Sequence, residues 1–187
     1  MDGGRVIQKR DRLQVVVIIA LMLVVITLLF SGMVYKSGDL VRSEHYSISL
    51  LRFCLQNETT ASMVCLSLNE MEAFNVSMEA MAWARLFIHG SFVTSLFTPL
   101  TFSVDACLCE VHVWGFGIFL AILSYLLIMT GVALFIFAIW NYAAVLNLTA
   151  SFCFCIIAGA LLGLVVYTAW HFRPYRRNPE ESMIGNC

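Results

Sequence analysis

The sequence predicts an all-α membrane protein, a four-transmembrane-helix bundle carrying a small disulfide-linked β-hairpin or sheet on one side. Three observations predict it. Hydrophobic residues make up 60% of the 187-residue chain and charged residues only 12%, about half the share that a water-soluble domain carries. The apolar residues gather in four runs, each as long as the ~20 residues a helix needs to cross a hydrocarbon core. Between the first two runs lies RFCLQNETTASMVC, residues 52–65, a polar stretch with paired cysteines and a sugar-acceptor sequence. Strands are excluded inside the runs. In lipid they would need a closed barrel, and barrel strands alternate polar and apolar residues, which these runs do not.

Taken in order, residues 1–12 form a basic tail with Arg5, Lys9, Arg10 and Arg12, and the first span covers 13–35. Its apolar run exceeds the roughly 7–15 residues of a signal-peptide core and no small-residue cleavage site follows, so the span is expected to be retained. A large loop covers 36–80, the second span 81–104, a short loop 105–112 (DACLCEVH) and the third span 113–140. A loop at 141–149, a fourth span at 150–170 and a tail at 171–187 with Arg173, Arg176 and Arg177 complete the chain. Four spans put both tails on one side, and short flanks rich in Lys and Arg face the cytosol. Both termini are therefore expected in the cytosol with 105–112, and loops 36–80 and 141–149 on the other side of a plasma or secretory-pathway membrane. Tyr35, Trp83 and Trp140 then fall at the outer span ends and Trp114 and Trp170 at the inner ends, where amphipathic rings prefer the headgroup layer.

This orientation places Cys54 and Cys65 in an oxidising compartment, where disulfides persist. The alternation in HYSISLLRFCL, with Tyr46, Ile48 and Leu50 on one face, predicts one strand and Ala61–Leu68 a second, with the hairpin tip at Gln56–Thr60. Asn57 opens Asn-Glu-Thr at that tip, Asn75 opens Asn-Val-Ser and Asn147 opens Asn-Leu-Thr. These are glycosylation acceptors, Asn147 the one closest to the membrane. A loop of this size cannot build its own core, so a staple and the membrane rim must hold it.

At these residues a family resemblance emerges. Ser49-Leu50-Leu51-Arg52-Phe53-Cys54, then ten intervening residues and Cys65, is similar to the first outer loop of the claudin, peripheral-myelin-protein and epithelial-membrane-protein superfamily. Ala84-Arg85-Leu86 matches that superfamily's arginine just inside the second span. More narrowly, Phe53-Cys54-Leu55, Asn57-Glu58, Cys65, Ala84-Arg85-Leu86, Gly90-Ser91, Leu96-Phe97, Pro99 and Cys107 resemble the transmembrane protein 140 family. The resemblance implies a claudin-like fold, a left-handed four-helix bundle topped by a small sheet. Leu51 and Ser49 depart from the superfamily's Trp and Gly, and Met183-Ile184-Gly185-Asn186-Cys187 lacks the Tyr-Val ending of many claudins, which argues against a junctional strand former.

Arg85, a full charge inside a span, and His89, one turn on, form a candidate intramembrane polar site. They read either as a site for an anionic ligand or a proton-sensing pair, or as a snorkelling arginine beside polar side chains that bond neighbouring helices. Ser91, Thr94, Ser95 and Thr98 continue the stripe. Gly159 and Gly163 form a GxxxG pattern that serves self-association or packing within the chain. Cys107 and Cys109 are candidate palmitoylation sites. With His112 they make three ligands where zinc needs four, so no metal and no cofactor is expected. Cys153 and Cys155 read as small buried hydrophobes, and Pro99 as a kink. No nucleophile elbow, phosphate-binding glycine loop or buried carboxylate pair is present, and enzymatic activity is not expected. Lipid and other membrane proteins are the expected partners, and nucleic acid is not. The favoured reading is a non-enzymatic interaction, adhesion or membrane-organising protein. The alternatives are a paracellular pore former or channel auxiliary subunit, for which the acidic excess of the large loop speaks, and a lipid or proton sensor at Arg85 and His89.

Overall fold

The computed structural model describes residues 3–34, 39–43, 46–49, 53–56, 63–66, 77–108, 111–140 and 149–171. Four helices dominate it: α1 (Gly3–Val34), α2 (Met78–Leu108), α3 (Val111–Ala138) and α4 (Ala150–His171). Each is long and apolar enough to cross a membrane, consistent with an integral membrane protein. Between α1 and α2 come four short strands, β1 (Asp39–Arg42), β2 (Tyr46–Ser49), β3 (Phe53–Gln56) and β4 (Met63–Leu66). They form one antiparallel sheet in the order β1-β2-β3-β4. α1 packs on α2 and α4, and α3 packs on the same two, so the helices close into a ring.

The inward faces follow one rule. On α1 the buried positions are Val15, Ile18, Met22, Val25 and Leu29; on α2 they are Met81, Ala84, Ile88, Ser91, Ser95, Thr98, Phe102 and Asp105. Ala121, Ser124, Ile128, Phe135 and Ala138 continue it on α3, and Ser151, Cys155, Ala158, Leu162, Val165 and Ala169 on α4. The steps alternate between three and four residues, apart from one seven-residue gap on α3 that Gly131 fills. That is the spacing by which nearly antiparallel helices keep a continuous seam. Alanines, serines and glycines occupy much of this seam while Leu, Phe and Val crowd the outside, because lipid offers no hydrophobic penalty to large outward side chains.

One expectation changes at the end of α2. The loop expected at 105–112 is largely helix: α2 runs to Leu108 and α3 starts at Val111. Asp105 continues the inward repeat three residues after Phe102 and is fully buried. α2 also passes through Pro99 as one helix.

The sheet differs from the expected two-strand hairpin. The stretch expected to be one strand is two, β2 and β3, paired antiparallel through Tyr46↔Leu55, Ser47↔Cys54 and Ile48↔Phe53. The alternation breaks at Leu50-Leu51, and an unbroken strand there would carry Phe53–Leu55 away from Ile48 instead of beside it. β1 was not foreseen. Its pairing with β2 steps from Asp39↔Ser49 to Val41↔Ile48, which leaves Leu40 as a bulged extra residue. Both Leu40 and Val41 are buried as a result. The Leu40 carbonyl accepts a hydrogen bond from the Thr149 N–H at 3.1 Å, and the Thr149 carbonyl accepts from Cys153 N–H at 3.2 Å, opening α4. The bulge thus ties the sheet to the first turn of α4.

Among the described glycines, the most tightly enclosed is Gly131. A Cβ there would lie 2.7 Å from Ile88 Cγ1, 3.1 Å from Ile88 N and 3.3 Å from Ala84 O, whereas one at Gly115 would meet nothing within 4 Å. The α2 backbone cannot yield as a flexible side chain can. Gly131→Ala is therefore expected to lower unfolding free energy in detergent by about 1–3 kcal/mol, and Gly115→Ala to leave it within ~0.5 kcal/mol. Parallel denaturation of the two variants checks this.

Candidate functional site

The span of α2 is the least apolar of the four and carries most of the buried polar groups of the bundle. Arg85 is partly buried and His89 exposed, one turn apart on the same flank. His89 Nδ1 lies 2.8 Å from the Arg85 carbonyl oxygen. A carbonyl only accepts, so Nδ1 carries a proton and, in the neutral ring, Nε2 is left as an acceptor. Nε2 has no hydrogen-bond partner among the described residues. The expectation that His89 bonds a neighbouring helix is corrected: its bond returns to its own helix. Phe92, a further turn down this flank, meets Phe30 of α1 with ring centroids 6.4 Å apart.

On the inward face the stripe turns to hydroxyls. Ser91 Oγ donates to the Ser124 carbonyl at 2.9 Å, Ser124 Oγ donates to the Ser91 carbonyl at 2.9 Å, and the two Oγ atoms are 3.1 Å apart. Each hydroxyl has one proton, so the reciprocal pair satisfies both serines and clasps α2 to α3. The other hydroxyls bond within α2. Thr94 donates to Gly90 O or Ser91 O, Ser95 to Phe92 O and Thr98 to Thr94 O. Ser124 was missed from the sequence, where a single serine in an apolar run carries no signal; its spacing from Ala121 and Ile128 could have placed it inward.

At the opposite end of the bundle, Phe102 meets Trp114 edge-on at 4.9 Å. The Trp114 Nε1 is enclosed there with no hydrogen-bond partner among the described residues. Trp114 is thus packed against α2, unlike the other tryptophans of the chain. Trp83, Trp140 and Trp170 are exposed on the outward surface.

Cys54 and Cys65 form a disulfide between directly paired positions of β3 and β4. Asn57, Asn75, Asn147, Cys109, residues 172–187 and the side chains of Cys107 and of residues 3–12 lie outside the described residues. Gly159 and Gly163 face α3 of the same chain. A Cβ on Gly159 would lie 3.2 Å from Met129 Sδ and one on Gly163 3.4 Å from the Tyr125 ring. The pattern thus packs against α3 within the bundle. Cys155 is buried but Cys153 is exposed, against the expectation that both are buried. Among the described residues no three His, Cys, Asp or Glu gather into a metal-binding group.

The serine clasp gives a direct test. Ser91→Ala and Ser124→Ala should each destabilise the bundle by roughly 0.6 kcal/mol, and up to about 1.7 kcal/mol. The double variant should cost less than the sum of the two. A double-mutant cycle on unfolding in detergent measures the coupling.

One family model matches the chain, described as the TM140 protein family, over residues 7–187. The match takes in all four strands, α2, α3 and α4 and nearly all of α1, and the chain belongs to that family.

Proposed function

We propose that this member of the TM140 protein family is a non-enzymatic membrane-organising protein that presents its stapled sheet to other membrane proteins outside the cytosol. The observation that carries the reading is the sheet: four short strands, closed by Cys54–Cys65 and tied to α4 through Leu40 and Thr149. A disulfide spanning eleven positions stabilises a loop by about 3 kcal/mol on the chain-entropy model. Such reinforcement suits a surface that has to keep one shape. Edge strand β4 presents Val64 and Cys65 exposed.

Orientation and location follow from the same reasoning. Disulfides persist in secretory and extracellular compartments, which supports an outward sheet. The basic tails support cytosolic termini in a plasma or secretory-pathway membrane. Glycans at Asn57 and Asn75 fit that side, with Asn147 nearest the membrane. Cys107 and Cys109, close to the opposite membrane boundary, fit reversible acylation from the cytosol. A claudin-like relationship is supported by a small antiparallel sheet with its disulfide across two strands and a ring of four helices beneath.

The test is crosslinked affinity purification from native membranes. The wild-type protein should capture a reproducible set of membrane proteins. Cys54→Ser with Cys65→Ser, delivered to the same membrane, should lose most of that set; an unchanged set would overturn the reading. Sealed cells treated with protease should spare the basic tails and expose the segment around Asn57, and the reverse pattern would invert the orientation.

A further inference from the structure

We propose that the flank of α2 formed by Arg85, His89 and Phe92, together with Phe30 of α1, binds a phosphosphingolipid in the leaflet nearest the sheet. The inference rests on the four helices crossing a bilayer and goes beyond the interaction reading above. It starts from the imidazole. Nδ1 is committed to the Arg85 carbonyl at 2.8 Å, so the outward Nε2 is an acceptor on a surface that lipid covers. A buried or lipid-immersed acceptor is stabilised only by a donor. Acyl chains have none, and the ester oxygens of a glycerophospholipid only accept. A sphingoid base differs at this depth: its amide N–H and its 3-hydroxyl are donors, on the first and second carbons after the one bearing the phosphate ester.

Arg85 supplies the second half of the match. α2 starts at the sheet end with Met78, so Arg85 lies four residues nearer that end than His89, about 6 Å along the axis. Side chains on a helix lean toward its N-terminus, which carries the guanidinium toward the headgroup layer that exposed Trp83 marks. A guanidinium above and an acceptor nitrogen one turn below match a phosphate above and a donor below. A sterol offers the donor without the anion. Below His89, Phe92 and Phe30, at 6.4 Å, provide an apolar wall for the chain.

The full-length protein in phosphatidylcholine nanodiscs tests this with two photoactivatable probes: sphingomyelin, and phosphatidylcholine bearing the same photoreactive acyl chain. The headgroup is identical, so the probes differ in the backbone that carries the donors. Labelling of the α2 peptide that follows Arg85 should be about threefold higher with sphingomyelin, the size expected for one hydrogen bond in a membrane. His89→Leu should bring sphingomyelin down to the phosphatidylcholine level without changing the thermal transition, since the position is outward. Arg85→Leu should reduce both probes and keep their ratio. A sphingomyelin probe with N-methylated amide and no 3-hydroxyl should label the wild-type protein no better than phosphatidylcholine, which decides the matter even where a variant fails to fold. Equal labelling by the two probes, a preference that survives His89→Leu, or crosslinks from this flank to a co-purifying protein in place of lipid would each overturn the proposal.

Discussion

The bundle depends on one constraint: a helix in hydrocarbon gains nothing by hiding its apolar side chains from lipid. Association must come from close backbone approach and from polar groups that find partners across a seam. The contact between α2 and α3 uses both. Gly131 lets the α3 backbone reach the Ile88 amide and the Ala84 carbonyl, and one step deeper Ser91 and Ser124 exchange hydrogen bonds. The two devices depend on each other. Without the glycine the helices could not come near enough for a serine hydroxyl to reach a carbonyl on the other helix. Without the serines nothing would select this rotation of α2 over others of similar packing. Farther down, a Cβ on Gly117 would stand 3.0 Å from Phe102 Cε1, so the same logic extends along the seam to Trp114.

The sheet is held by a different means. Four-residue strands form a sheet too small to be stable alone, and each reinforcement acts on a different edge. The disulfide closes β3 onto β4, at the edge farther from the bundle. The bulge at Leu40 acts at the other edge, where it frees a carbonyl for Thr149 and buries two successive side chains. Since Thr149 also opens α4, any shift of that helix is transmitted to β1. The position of the sheet is therefore set by the bundle.

Much of this was legible in the sequence, for reasons that also explain the rest. The number of spans and their approximate ends follow from length and composition, and the disulfide follows from two cysteines in the same loop. The inward faces were harder to see because in a membrane helix both faces are apolar. Only the three-and-four spacing of small and polar residues separates them, and on α2 it runs unbroken from Met81 to Asp105. That spacing would have extended α2 into the expected loop, since Asp105 falls on the same face as Phe102. One strand is expected where two form because the adjacent leucines Leu50 and Leu51 interrupt the alternation only briefly. Arg85 and His89 were visible as polar residues in an apolar run, but which helix His89 bonds was not, because a four-residue spacing permits a bond within the helix or across it.

That last distinction explains why His89 differs from the other polar side chains of the spans. An exposed threonine is quieted by its own helix. Thr27 donates its one proton to Leu23 O at 2.8 Å and Thr168 donates to Leu164 O at 2.9 Å, which holds each oxygen tight against the backbone. Such residues cost little and present little. Histidine back-bonds in the same way through Nδ1, but its ring has a second nitrogen on the far side, projecting from the helix. Satisfying one therefore fixes the tautomer of the other and aims it outward. Arg85 contributes twice to this arrangement, through the carbonyl that orients the ring and through the charge one turn above it. A leucine at position 85 would keep the carbonyl and lose the charge, and a leucine at 89 would keep the charge and lose the imidazole acceptor. The two chemical features of the flank are therefore separable, although both are positioned by a single turn of α2.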